Sequence, residues 1–256
     1  MSAAEDRISE IMSEIYGSLP RQGPGSAAST RRAFSMLGAL PERPLVLDIG
    51  CGTGAQTLEL AKLTNGHITA LDVFDWALDG VSRKASAEGM YERIHTTKQS
   101  MTEMGFQGKT FDLVWSEGAL YIMGFENALN SCRFLLKPGG FLAASELCWF
   151  RDDPPDEARA FFRMCYPEMK TVTDNVQLIN SSGYLLLGHF DLPDRDWWDD
   201  YYTPMSKLLP ALREKYSTLP EALAVLDENE EEMEIHRKYS EWYGYEFFIS
   251  RRPPDW

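Results

Sequence analysis

Cysteine is scarce in this sequence, and its placement suits no covalent scaffold. Cys51, Cys132, Cys148 and Cys165 are widely spaced and form no C-x-x-C pair, which argues against a disulfide framework or a zinc ribbon. Histidine is equally rare. His67, His95, His189 and His236 make no H-E-x-x-H run, so no metal site is expected. No apolar stretch reaches the length of about 18 residues that a membrane span needs. The charged start, Met1 to Tyr16, lacks the apolar centre of a signal peptide. Positive charge is also in short supply: 25 Lys+Arg against 39 Asp+Glu leave a formal −14. Such a surface repels phosphate backbones, so nucleic acid is not expected as a partner. The expected compartment is the cytoplasm.

What the chain does have is enough apolar material for a core, with 44% hydrophobic residues in 256. Its acidity is lopsided. Residues 1–150 carry 13 basic and 17 acidic groups, net −4, and residues 151–256 carry 12 and 22, net −10. Aromatic residues also crowd the second part, at Trp197, Trp198, Tyr201, Tyr202, Trp242, Tyr243 and Tyr245. One domain is expected, with a regular nucleotide-fold centre and a more individual C-terminal part.

Periodicity supplies the elements. Ile8, Ile11, Met12 and Ile15 predict a helix over 5–16, and GSLPRQGPGS at 17–26 predicts a loop. A capped helix running to about 40 follows. Strands are predicted at 45–49, 68–72, 91–96, 111–115 and 141–147, separated by helices at 55–64, 75–88 and 126–136. Strands alternating with helices imply a mostly parallel sheet covered on both faces. Further on, the pattern predicts helices at 156–165 and 174–181 and a strand at 184–190. A broken aromatic loop at 191–204, helices at 205–216 and 220–241, and a last strand at 245–251 complete it. The acidic run DENEEEME, 227–234, reads as a solvated helix face.

The sharpest motif is LVLDIGCGTGAQ, 45–56, in which a buried strand ends, Gly50, Gly52 and Gly54 alternate, and a helix opens. Glycines permit a tight turn and let backbone approach a ligand, and the amides at the helix start face it. Gly50, Gly52 and Ala55 also satisfy the dinucleotide fingerprint, so an NAD(P)-dependent oxidoreductase is a rival reading. Asp48, at the strand end, suits a cationic amino group better than a pyrophosphate. Asp72 ends the next strand, 20 residues after Gly52, where an acceptor for a ribose diol belongs. A ligand with a cationic end and a ribosyl end satisfies both, and S-adenosylmethionine is one.

Together, VLDIGCGTG, the end of ITALD and the FDLVWSEGALY…LLKPGG run resemble class I S-adenosylmethionine-dependent methyltransferases over roughly residues 40–150. LPRQGPGS, WSEGALYIMGFE, SELCWF, WWDDYYTP and YGYEFFI are similar to a bacterial and archaeal subgroup of mostly uncharacterised small-molecule methyltransferases. The resemblance implies an α/β, Rossmann-like, seven-stranded sheet of order 3-2-1-4-5-7-6. Strand 7 would be antiparallel, helices would cover both faces, and 1–40 would form an N-terminal helical cap. Residues 41–150 would be the cofactor-binding core and 151–256 the C-terminal part of the same domain. Gly50, Cys51, Gly52 and Gly54 would lie under the cofactor's amino-acid portion, and Asp72 would meet the ribose hydroxyls. Val73 and Phe74 would lie beside adenine. Ser100 and Met101 stand where many relatives have an acidic residue at the exocyclic amine. Arg21, in the covering loop, would reach the cofactor carboxylate or an acidic substrate. Asp48 and Ser116 complete the candidate cofactor set.

For chemistry, Glu117 directly follows an apolar strand, where an unpaired carboxylate would be costly. It is the first candidate base or cation-binding group, with Tyr121 and Glu146 assisting. Tyr121, Trp149, Trp197, Trp198, Tyr201 and Tyr202 are candidate acceptor contacts, the last four beside four aspartates. Packing or a homodimer contact are the rival roles for that aromatic group. The expected reaction is methyl transfer to a neutral or cationic small molecule. A non-catalytic nucleoside-binding module on the same fold is a further rival. SEGA stands where base-amine methyltransferases carry Asn/Asp-Pro-Pro-Tyr, which disfavours a nucleic-acid substrate.

Overall fold

The computed structural model describes residues 3–254. Its centre is a sheet built from β1 (Leu45–Ile49), β2 (His67–Asp72), β3 (Ile94–Lys98), β4 (Phe111–Glu117), β5 (Leu136–Trp149), β6 (Lys170–Thr171), β7 (Leu185–Asp191) and β8 (Tyr243–Arg251). The order is β3-β2-β1-β4-β5-β8-β7, with β6 paired to β5 off this path. The first five strands are parallel, and β8 runs antiparallel to both β5 and β7. Setting aside the two-residue β6, this is the expected 3-2-1-4-5-7-6 order. β6 adds an eighth strand that the sequence pattern did not reveal. It pairs Cys148 and Trp149 of β5 with Lys170 and Thr171, beyond the last β4 partner at Ser145. An antiparallel strand between β5 and β7 also departs from the 3-2-1-4-5-6 order of dinucleotide folds.

Strand alternation sends residues to two separate cores. Val46, Leu113, Trp115, Phe247 and Ile249 face one cluster, which includes Leu60 of α3 (Ala55–Leu63) and Val81 of α4 (Asp75–Ala87). Leu47, Ile49, Val114, Leu142 and Phe248 face the other, against Leu129 of α5 (Phe125–Leu135) and Ile179 of α7 (Val172–Ser181). Adjacent apolar residues such as Val46 and Leu47, both fully buried and facing opposite clusters, are what a parallel strand buried on both faces requires.

A third cluster forms the cap. Ile11 and Ile15 of α1 (Ala3–Tyr16) pack with Phe162 of α6 (Asp156–Cys165) and Met205 of α9 (Thr203–Lys215). Leu226 and Met233 of α10 (Pro220–Tyr239) and Tyr243 of β8 join them. The cap is therefore built from both ends of the chain, not from residues 1–40 alone. Ser26 caps α2 (Ala27–Ser35) by accepting from the Ser29 amide at 3.1 Å.

Three local expectations are corrected. The segment 191–204 is mostly helical, since α8 (Arg195–Trp197) passes through a π turn, Trp198–Tyr202, into α9. Burial of Trp197, Tyr201 and Tyr202 in the cap supplies the packing that their sequence pattern alone does not reveal. The third strand starts at Ile94, after a 3-10 turn at Tyr91–Arg93. The acidic run 227–234 is not uniformly solvated: Asn229 and Met233 are buried and Glu232 is half-buried at the cavity walls described below.

Candidate active site

The glycine turn hangs from the end of β2. The amides of Gly50 and Cys51 donate to the Leu71 carbonyl at 2.9 and 3.0 Å. Gly52 N donates to Asp72 Oδ2 at 2.9 Å. The other Asp72 oxygen accepts from Val73 N at 2.8 Å and Phe74 N at 3.1 Å. This carboxylate therefore organises the turn while lining the cavity above it. Gly50 has φ of 69°, and an added Cβ would stand 2.4 Å from the Cβ of Ala119. Only glycine fits there.

Arg21 and Glu117 meet across the mouth of this turn in a buried ion pair. Glu117 also accepts from Thr30 Oγ1 at 2.7 Å and from Trp115 Nε1 at 2.9 Å. Three donors from the loop after α1, from α2 and from β4 thus converge on one carboxylate. Gln22, next to Arg21, accepts from the Thr53 amide at 2.7 Å and so ties the same loop to the glycine turn. Gly25 N donates to the Asp196 carbonyl at 2.9 Å, which anchors the loop to α8.

Two cavities lie at the carboxyl ends of the strands. The first has a volume of about 360 Å³, and its wall includes Arg21, Gln22, Gly50, Gly52, Asp72 and Phe74. Cys51, Val73, Met101, Glu117, Tyr121 and Tyr201 also reach it. Trp76 is on the same wall, and its buried Nε1 has no acceptor among the described residues. The second cavity, about 420 Å³, is bordered by Tyr121, Tyr166, Trp197, Glu232, Tyr243 and Tyr245. Tyr121 and Glu232 border both.

Several candidate residues sit elsewhere. Asp48 is fully buried behind the turn, accepting from Thr57 Oγ1 at 2.6 Å and Gln56 Nε2 at 3.3 Å. It alternates onto the face that α3 covers, so it braces α3 and does not line the cavity. Burial pushes its carboxyl up to about 7, against the opposing effect of the Thr57 hydrogen bond. Ser116 is spent on the Ile49 carbonyl at 2.8 Å. Gly54 packs on Val81. The Ser100 hydroxyl shares a hydrogen bond with Thr102, and Gln99 takes its place on the wall.

Glu146 accepts from Tyr166 Oη at 2.6 Å beneath the second cavity, and burial raises its carboxyl to about 8. Trp149 packs edge-on against Phe162 and Tyr243. Trp198 lies under the Arg237 guanidinium. Tyr202 donates to Glu232 at 2.7 Å from inside the cap. Gln22, Trp76, Gln99, Tyr166, Glu232 and Tyr245 were not singled out from the sequence. None belongs to the glycine motif, and only the fold gathers them.

A doubly wound sheet with an antiparallel seventh main strand, its glycine turn clamped by a strand-end aspartate, defines a nucleoside-binding domain of the methyltransferase type. The comparisons agree. Residues 46–140 match the model of a methyltransferase domain family. A sterol 24-C-methyltransferase of Neurospora crassa is 28% identical over 171 residues, covering 63% of this chain and 45% of that protein. Its Saccharomyces cerevisiae counterpart is 27% identical over 172 residues, covering 63% and 44%. The chain spans less than half the length of these curated relatives. Among solved structures, an S-adenosylmethionine-dependent methyltransferase from Geobacter sulfurreducens, in complex with S-adenosyl-L-homocysteine, superposes with a TM-score of 0.80. That match has 18% identity and covers 96% of this chain and 98% of that one. The 4+2 cyclase SpnF, at 18% identity, superposes with 0.77 over 98% and 95%. Residues 46–140 are therefore a methyltransferase domain, and the chain as a whole has the fold of S-adenosylmethionine-dependent methyltransferases. The cyclase shows that this fold alone does not settle the reaction.

Proposed function

We propose that the protein is an S-adenosylmethionine-dependent methyltransferase acting on a small-molecule acceptor, neutral or cationic, by in-line displacement. One observation carries the reading: Asp72 holds the glycine turn through Gly52 and also lines the 360 Å³ cavity. Volumes of this order suit small-molecule sites. The residues present fit the donor. Asp72 offers acceptor oxygens for a ribose diol, Phe74 and Met101 offer apolar surface, and Trp76 Nε1 offers an unspent donor.

When bound, S-adenosylmethionine supplies an electrophilic sulfonium methyl. The chain's own work is to orient donor and acceptor and to keep water out, which can account for much of the rate. The loop carrying Arg21 and Gln22 covers the turn and must open for exchange. Glu117, engaged by three donors, serves in this reading as the clasp of that loop. Four free cysteines suit a reducing, cytoplasmic setting.

Calorimetry with S-adenosyl-L-homocysteine tests the binding half. The folded wild-type chain is expected to bind, and Asp72→Ala to bind at least about tenfold more weakly. A folded wild type that binds neither this ligand nor S-adenosylmethionine would overturn the reading. Radiolabelled methyl transfer tests the catalytic half.

A further inference from the structure

We infer that the second cavity is the acceptor site and that it selects an amine carried on an apolar or aromatic body, with Glu232 receiving the ammonium group. The inference rests on the methyl-donor reading above for the reaction, while its recognition half can be measured separately.

The cavity wall combines two features. Tyr121, Phe162, Tyr166, Trp197, Tyr243 and Tyr245 supply aromatic surface, and one turn of α10 supplies Glu228, Glu231 and Glu232. Among the described residues, no lysine or arginine is in the wall. Aromatic faces beside carboxylates attract an ammonium through the ring quadrupole and through charge. A carboxylate or phosphate acceptor would meet like charge in a poorly solvated space.

Glu232 differs from its two neighbours. Glu228 and Glu231 are exposed at the rim, whereas Glu232 is half-buried and open to the cavities. One of its oxygens accepts from Tyr202 Oη at 2.7 Å. No lysine or arginine among the described residues forms an ion pair with it. A carboxylate withdrawn from water without a cation is costly, and a ligand ammonium would remove that cost. Burial raises its pKa, which helps it to take a proton. Tyr243, on the same wall, has a buried hydroxyl with no partner among the described residues. Because Glu232 and Tyr121 border both cavities, a group held at Glu232 stands at their junction.

The balance of the step follows. An incoming ammonium gives one proton to the Glu232 carboxylate and becomes a neutral amine. Its lone pair forms the new N–C bond to the methyl carbon of S-adenosylmethionine as the S–C bond breaks. That electron pair stays on sulfur, leaving a neutral thioether and an N-methylated ammonium. The aromatic wall faces the positive charge as it passes from sulfur to nitrogen.

Three probes of one shape test recognition: 2-phenylethylamine, 2-phenylethanol and phenylacetate, titrated near pH 7 into protein saturated with S-adenosyl-L-homocysteine and, separately, into protein without it. Tryptophan fluorescence is the signal, with Trp197→Phe as the control for its source. The amine is expected to bind at least about tenfold more tightly than the alcohol, with no saturable binding of phenylacetate. In Glu232→Gln, which can still accept from Tyr202, the amine preference should fall to about twofold or less. Equal binding of amine and alcohol, binding of none of the three, or a preference that survives in Glu232→Gln would each overturn the inference. Should that variant not fold, the wild-type comparison of amine with alcohol still decides it. Failure of the donor reading is separate, since it appears as absent homocysteine-ligand binding whatever the amine does.

Discussion

Arg21 and Glu117 form an ion pair in which both side chains are almost wholly buried, 7% and 4% exposed, although they lie 96 residues apart. The pair joins the loop after α1 to the end of β4, across the opening of the glycine turn. Its strength comes from completion: Thr30 and Trp115 satisfy the second carboxylate oxygen, as a buried charge requires.

Removing one partner leaves the other charge stranded. Arg21→Ala and Glu117→Gln are each expected to lower stability by about 3–5 kcal/mol, measured by urea denaturation. The double variant should lose much less than the sum, because neither charge is then left alone. Additive losses would show that the two groups act independently.

Gly50 and Gly52 both have positive φ, so alanine at either carries a backbone cost of about 1 kcal/mol. Their surroundings differ. A Cβ at Gly50 meets the Ala119 Cβ at 2.4 Å, whereas at Gly52 the nearest atom is Gln22 Oε1 at 2.5 Å, the end of a flexible side chain. Gly50→Ala should therefore lower the melting temperature more than Gly52→Ala. Gly52→Ala should mainly weaken homocysteine-ligand binding, by displacing Gln22 from the Thr53 amide.

Asp48 gives the fold a pH dependence. Burial pushes its carboxyl up to about 7, so the folded chain keeps a proton that the unfolded chain has lost above about pH 4. The folded state binds more protons across that window, and stability falls as pH rises through it, by at most about 1.4 kcal/mol per pH unit from this group. Asp48→Asn removes the titration. Relative to wild type, the variant should gain stability from pH 5 to 7 and hold a constant difference above about pH 8. Denaturation midpoints with no pH dependence in that difference would show Asp48 ionised throughout.

The sequence by itself determined the sheet. Apolar runs such as Val46 and Leu47, a glycine turn after β1 and an aspartate at the end of β2 are local patterns, and each states its own requirement: burial on both faces, positive φ, an acceptor at a strand end. The seven main strands followed from that spacing, and their order from resemblance. Tertiary structure alone decided which of the chemically suggestive side chains reach the cavities. Asp48, Ser116 and Glu146 carry the right groups, but strand alternation and the cap turn them to Thr57, Ile49 and Tyr166. Glu232 sits in a run of acidic residues that reads as solvent-facing, and it reaches the cavities because α10 packs in the cap against α1, α6 and α9. Pattern reports a residue's neighbours along the chain. A binding wall is made from neighbours in space, here drawn from α1, β4, α6, α10 and β8, and their meeting is a property of how the layers close.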